Sequence, residues 1–294
     1  MSGTLTTADG LALVRTAWPA NGRPRGTVLI VHGLGEHCER YVRLAADLTT
    51  AGWSVQSFDQ RGHGASEGAR GDIAAPGSLQ DDLALLLDTL HDEQVPRPLV
   101  LLGHSMGGTV AASLVADGRS AGVDALVLSS PALDPGLGPL QKIRLALGAW
   151  LLPHHAVGNG LSPLSISRDP LVVRRYIDDT RVHNRITPLL ARFIVDAGHR
   201  VIAGAAQWRL PTLLLWAGAD RCVSPRGSAA FAAAAPKRLV RTRCFDGLAH
   251  EIFNEPERDF VVGALIDYLR MLPRLSASQL RRVDSGSMLR SLDA

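Results

Sequence analysis

Residues 98–117, PLVLLGHSMGGTVAASLVAD, read as a buried strand, a sharp turn and a helix. The apolar run from Leu99 to Leu102 suits a strand covered on both faces. The small and apolar residues from Thr109 to Ala116 suit a helix packed closely against it. Between them lies Gly103-His104-Ser105-Met106-Gly107, a G-x-S-x-G. At such an elbow the serine takes a strained backbone conformation and its hydroxyl stands clear of the sheet. The glycines two residues to either side let neighbouring elements approach. Ser105 is therefore the candidate nucleophile, and a strand turning directly into a helix calls for an α/β fold built on a parallel sheet.

The rest of the chain supplies that sheet. Residues 5–18 alternate around Ala8-Asp9-Gly10 and predict an antiparallel hairpin at one sheet edge. Gly26 to Val31 read as a buried strand that runs into His32-Gly33-Leu34-Gly35-Glu36-His37, a loop placed where open α/β sheets bind ligands. Beside an elbow, the backbone N–H of Leu34 joins that of Met106 as an oxyanion hole. The competing reading is an ordinary Gly-rich turn. A helix over 41–51, a strand over 53–58, a helix over 78–94 and a strand over 124–129 continue the alternation. The spacing predicts parallel strands with right-handed crossovers. The loop DQRGHGASEG at 59–68 has no evident catalytic role, and Asp59 and Arg61 are expected to pin it.

At Pro131 the pattern changes. From 132 to 203 there are helical stretches near 139–152, 169–180 and 186–199, broken by prolines and glycines, which read as a helical insertion. It carries nine Lys/Arg against five Asp, a balance of +4, more than the +3 of the whole chain. Alternation resumes with a strand over 211–216, a helix over 225–235, a strand over 239–245 and a helix over 256–272. The expected division is a first core part at 1–131, a cap at 132–203, a second core part at 204–275 and a flexible tail at 276–294.

Composition narrows the function. At 294 residues and 46% hydrophobic content the chain can bury a sizeable core and is not disordered throughout. Cys38, Cys222 and Cys244 are widely spaced with no C-x-x-C, so neither a disulfide framework nor a thiolate zinc site is indicated, and a reducing compartment is expected. The N-terminus lacks the basic start and apolar stretch of a signal peptide, and no apolar run reaches membrane-spanning length, so the expected location is cytoplasmic. No Lys/Arg cluster is interleaved with aromatics, which argues against nucleic acid.

A serine hydroxyl needs a base, and the base needs an acid to hold its tautomer. Behind an elbow serine the chain order is Ser, Asp/Glu, His. Among the histidines beyond Ser105, only His250 follows a core strand and lies beyond a strand-end acid, so it is the candidate base. Asp134, Asp220 and Asp246 all sit near strand ends. Asp220 is preferred, because it directly follows a buried strand in a Gly-x-Asp turn. Such a set needs no metal and no cofactor.

Taken together, HGLGEHCERY at 32–41, DQRGHGASEG at 59–68, GHSMGG at 103–108, GADRCVSP at 218–225 and HEIFNE at 250–255 resemble the monoacylglycerol lipase and lysophospholipase group of α/β-hydrolases, the serine aminopeptidase-like hydrolases. The resemblance covers the core from Gly26 to Leu272. It implies an α/β-hydrolase fold, Ser105, Asp220 and His250 as catalytic triad, Leu34 and Met106 as oxyanion donors, and the insertion as a cap that shapes an acyl pocket. It implies hydrolysis, through an acyl-enzyme, of a lipid-like carboxylic ester, foremost monoacylglycerol or lysophospholipid, with acyl transfer, thioester hydrolysis or general carboxylesterase activity as alternatives on the same triad, and a non-catalytic binding protein as a remote one. Gly33, Leu34, Trp150 and Leu151 are the expected substrate contacts. Trp150 and Leu151 belong to Leu145–Leu152, a stretch apolar on nearly every side, which either packs on the core or lines the acyl pocket and touches lipid aggregates. The oligomeric state is left open.

Overall fold

The computed structural model describes residues 2–272; the tail expected at 276–294 lies outside the described residues. Eight strands form one sheet in the order β1-β2-β4-β3-β5-β6-β9-β10. In chain order these are β1 (Ser2–Thr6), β2 (Ala12–Trp18), β3 (Thr27–Val31), β4 (Ser54–Phe58), β5 (Leu99–His104), β6 (Ala125–Ser129), β9 (Thr212–Ala217) and β10 (Val240–Phe245). The β1-β2 hairpin forms one edge and β2 meets β4 antiparallel. Every other neighbouring pair is parallel.

Alternation along the central strands decides which helix covers which face. Leu29, Val31, Leu101, Leu126, Leu128 and Leu214 pack with α2 (Ser78–Asp92), α3 (Met106–Ala116), α6 (Pro188–Ala203) and α7 (Pro225–Ala234). Val28, Ile30, Val100, Leu102, Val127 and Leu215 pack with α1 (Val42–Thr50) and α8 (Arg258–Met271) on the opposite face. With side chains alternating faces, such strands must be apolar at every position, which is why β3, β5 and β6 are buried throughout.

Between β6 and β9 the chain forms α4 (Pro139–Leu151), a short β7 (Val157–Gly158) paired with β8 (Arg185–Ile186), α5 (Pro170–Asp178) and then α6. The segment between β6 and β9 is thus mainly helical, with one two-residue strand pair. Its last helix differs from the rest: Leu190, Phe193, Ala197 and Val201 of α6 lie in the same apolar cluster as α3 and the sheet. Packing therefore joins α6 to the core layer, while α4 has no buried residue.

Candidate active site

Ser105 stands between β5 and α3 with φ 51° and ψ −121°. A non-glycine residue in this region stores about 1–3 kcal/mol of strain and persists only if its surroundings hold it there. Here Ser105 N–H donates to Ser129 O at 3.0 Å, and Ser105 O accepts from Ala132 N–H at 3.0 Å and Thr109 N–H at 3.1 Å. The glycines permit the crowding. A Cβ on Gly107 would lie 2.2 Å from Val31 O, and one on Gly103 2.5 Å from Gly107 O.

His250 follows β10, and its Nδ1–H donates to Asp220 Oδ2 at 2.7 Å. That bond leaves Nε2 as the ring's acceptor. Asp220 Oδ1 accepts from the N–H groups of Cys222 at 2.8 Å and Val223 at 3.1 Å, so the turn after β9 fixes the carboxylate. Burial alone would lower the His250 pKa, but the charge and hydrogen bond of Asp220, with Glu251 and Glu36, raise it above the ordinary value. His104, whose ring centroid is 4.8 Å from that of His250, is pushed down to about 4 by burial and by His250, so it brings no competing charge. Of the other candidate acids, Asp134 accepts from Gly136 N–H, and no hydrogen bond joins Asp134 or Asp246 to His250 among the described residues. The Cys222 thiol is pushed up to about 12 by burial and by Asp220, which leaves it protonated at neutral pH. Asp220, Cys222 and His250 offer three metal-ligand atoms within 4.8 Å of one another, though Asp220 and His250 already satisfy each other.

The loop after β3 is held by a buried charge network that sequence reasoning missed. Glu36 Oε1 accepts from Gly33 N–H at 2.6 Å and Tyr41 O–H at 2.7 Å, while Oε2 accepts from Arg40 at 2.8 Å. Arg40 also grips Glu251 with two bonds of 2.7 and 2.8 Å, and its guanidinium lies over the Tyr176 ring. Burial would raise the Glu36 pKa, yet Arg40, His104 and His32 hold it below the ordinary carboxylate value. The signal was present in HGLGEHCERY and HEIFNE, which hold Glu36, Arg40, Tyr41 and Glu251, but nothing in their spacing shows that they meet. Gly33 N–H is spent on Glu36. Leu34 and Met106, by contrast, line the cavity at Ser105, and neither donates a backbone bond outside the helices and strands among the described residues.

Two arms of a cavity meet at Ser105. One, of about 30 Å³, is of mixed lining: Glu36, Arg40, His104, His250 and Glu251 face it together with Leu34, Leu161, Pro163 and Ile166. The other, of about 200 Å³, is lined chiefly by apolar side chains including Leu137, Leu161, Ile186, Ile194, Val195 and Val223. Cys222 borders both.

Residues 22–257 match the sequence signature described as serine aminopeptidase, S33. The chain belongs to the serine aminopeptidase S33 family. It is 33% identical over 265 residues to the monoacylglycerol lipase of Mycolicibacterium smegmatis, covering 88% of this chain and 93% of that one. The crystal structure of Paleococcus ferrophilus monoacylglycerol lipase superimposes with a TM-score of 0.79 at 32% identity, over 87% of this chain and 98% of the other. An abhydrolase domain-containing protein of Dictyostelium discoideum is 29% identical over 270 residues and longer; the chain spans 28% of its length. These likenesses and the mostly parallel sheet make the chain an α/β-hydrolase.

Residues 179–187 of this S33 chain are tied to the segments that follow β3 and β4. His37 Nε2 meets Asp179 at 2.8 Å, His183 N–H donates to Gly35 O at 2.9 Å, and Thr187 binds Gly71 O and Asp72, each at 2.9 Å. Beneath this seam runs the DQRGHGASEG loop. Asp59 accepts from the N–H groups of Cys38 and Ala65, both at 2.8 Å, and Arg61 pairs with Asp82 and Asp9, so both pin it as expected. Gln60 N–H donates to His32 Nε2 at 2.9 Å, which fixes the ring at the end of β3.

One expectation for this S33 chain is corrected. Trp150 and Leu151 do not line either arm of the cavity. Trp150 is 78% exposed, and Leu140, Ile143, Leu147 and Leu151 are each more than half exposed. The half-buried Leu145, Gly148 and Ala149 face inward instead, with Gly148 against Pro188. A helix so apolar gives no pattern from which to tell its inner side, and the side with the smallest residue went to α6. Leu161, Ile186 and Ile194 line the larger, apolar arm.

Proposed function

We propose that the chain is a serine esterase that hydrolyses monoacylglycerols through an acyl-enzyme on Ser105. His250 accepts the serine proton, Asp220 holds the imidazole and balances its charge, and the N–H groups of Leu34 and Met106 receive the oxyanion. The observation that carries this reading is that the cavity at Ser105 joins a larger, chiefly apolar arm to a smaller one into which Glu36, Arg40, His250 and Glu251 face. An ester placed across the serine puts its acyl chain in the larger arm and turns a hydroxyl-bearing head towards the polar side chains of the smaller one.

Charge selects the head. In the smaller arm Arg40, the only Arg or Lys in its lining, is already matched by two carboxylates, Glu36 and Glu251. A phosphate would meet a surplus of negative charge, so an uncharged polyol is favoured over the phosphate head of a lysophospholipid.

Access to lipid is the role assigned to α4. Leu140, Ile143, Leu147, Trp150 and Leu151 recur at three- and four-residue spacing and form one exposed apolar stripe. No helix among the described residues is long and apolar enough to cross a membrane, so this contact is with the surface of a lipid aggregate. The +4 balance of residues 132–203 adds attraction to anionic surfaces.

The test is a hydrolysis panel of p-nitrophenyl esters, monoacylglycerols and lysophospholipids, with Ser105→Ala as control. Monoacylglycerols should be turned over with the highest kcat/KM. Preference for lysophospholipid would overturn the head-group assignment, and inactivity towards every ester would overturn the function.

A further inference from the structure

The loop that carries His250 is bracketed on both sides by the insertion. On its near side Ala249 N–H donates to Glu255 Oε2 at 2.9 Å, and that same oxygen accepts from Arg168 Nε at 2.6 Å. On its far side Glu251 N–H donates to Ile166 O at 2.8 Å. Glu255 Oε1 completes the clamp, accepting from Arg168 N–H at 2.6 Å and Ser167 O–H at 2.8 Å. Residues 166–168 precede α5, and Ile166 also lines the smaller arm of the cavity.

We propose that Glu255 is a positioning residue: it locks the His250 loop to the α5 arm of the insertion, so that the imidazole and that arm move as one body. This rests on the reading of His250 as the base.

The chemistry at this position suits only a carboxylate. The Glu255 side chain is fully buried and is met by four donors from two separate segments. An ionised carboxylate is acceptor-only, with room for about four bonds. Burial would raise its pKa, but Arg168 and the backbone and hydroxyl donors hold it below the ordinary value. A glutamine there would turn an NH₂ group towards donors, leaving at least one bond broken in a dry site. The released group would include the N–H next to His250 or the arm that steadies it. Glu255 does not border the cavity, so it acts through the loop and not on substrate. It follows that the α5 arm cannot swing open while His250 stays in register. Opening of the acyl arm is left to α4 and the segment before residue 165.

The experiment compares wild type, Glu255→Gln and Arg168→Ala by burst titration with a p-nitrophenyl ester, which counts working sites, and by the pH dependence of kcat per titrated site. Arg168 is partly exposed, so its truncation removes one bond from the clamp without emptying the core. Glu255→Gln should lower kcat per titrated site by about 10- to 100-fold, with KM for a small soluble ester changed far less, and should displace the acid limb of the pH profile. Arg168→Ala should move both quantities in the same direction by a smaller factor. If Glu255→Gln does not fold, Arg168→Ala decides alone. A variant with fewer titratable sites or a lower Tm, but wild-type kcat per site and an unmoved limb, would make Glu255 a purely structural residue and overturn the inference. A wild-type chain that gives no burst would overturn the esterase reading itself, a result distinct from a wild-type burst with unaltered variants.

Discussion

His250 Nδ1 and Asp220 Oδ2 meet at 2.7 Å with their side chains 7% and 2% exposed, joining the loops that follow β10 and β9. In a site this dry the pair sets both the tautomer and the basicity of the imidazole. Asp220→Asn should lower kcat by about 10⁴-fold, by analogy with the serine-protease triad, while Asp134→Asn and Asp246→Asn should be mild. Steady-state kinetics on one soluble ester check this. A crippling Asp246→Asn would reassign the acid.

The same pair sets the pH dependence. The base must be neutral to accept the serine proton, and the His250 pKa is raised above 6.5, with burial opposing and Asp220 dominating the increase. The kcat/KM of the wild type should therefore fall as pH drops through a value above 6.5. Whatever activity remains in Asp220→Asn should have its acid limb at lower pH, because burial then acts without the opposing carboxylate charge. A limb at or below the ordinary imidazole value in the wild type would contradict the pairing.

Glu36 and Arg40 hold the loop that carries Leu34. Glu36→Gln should lower kcat by about 10-fold or more, short of the ~10²–10³-fold loss expected when an oxyanion donor itself is removed. Arg40→Ala leaves Glu36 and Glu251 buried without their cation and should cost about 3–5 kcal/mol of stability. Kinetics and denaturant melts separate the two effects. Wild-type kcat in a stable Glu36→Gln variant would remove this network from the oxyanion loop's support.

How much of this was legible in the sequence depended on whether the signal was local. The elbow was legible because strand, glycines, serine and helix are consecutive, and a Cβ on Gly107 2.2 Å from Val31 O explains why glycine stands there. The central strands β3, β5 and β6 were legible because both faces are covered, and the β1-β2 hairpin because Asp9-Gly10 marks its turn. The approach of Arg40 to Glu251, 211 residues apart, was not legible, since no periodicity encodes a pairing across the molecule. Nor was the inner side of α4, where apolar residues occur all around. The insertion's expected end at 203 also follows from local pattern alone, whereas packing draws α6 into the core.

The exposed stripe of α4 should matter for aggregated substrate only. Trp150→Asp with Leu151→Asp should reduce hydrolysis of long-chain monoacylglycerol in vesicles or emulsion, and leave that of p-nitrophenyl acetate nearly unchanged. Sedimentation with anionic vesicles should fall as salt rises, since the charge contribution is screened within about 10 Å at 0.1 M salt. Equal loss on both substrates would make the stripe part of the folded core. Binding indifferent to salt would remove the electrostatic contribution.

The central claim is that Ser105 forms the acyl-enzyme. Acid-quenching the protein during turnover of a p-nitrophenyl ester, followed by peptide mass analysis, tests it most directly. The account predicts an added acyl mass on the peptide containing Ser105, and neither adduct nor turnover above background in Ser105→Ala. An adduct on another residue, or undiminished turnover in Ser105→Ala, would contradict it.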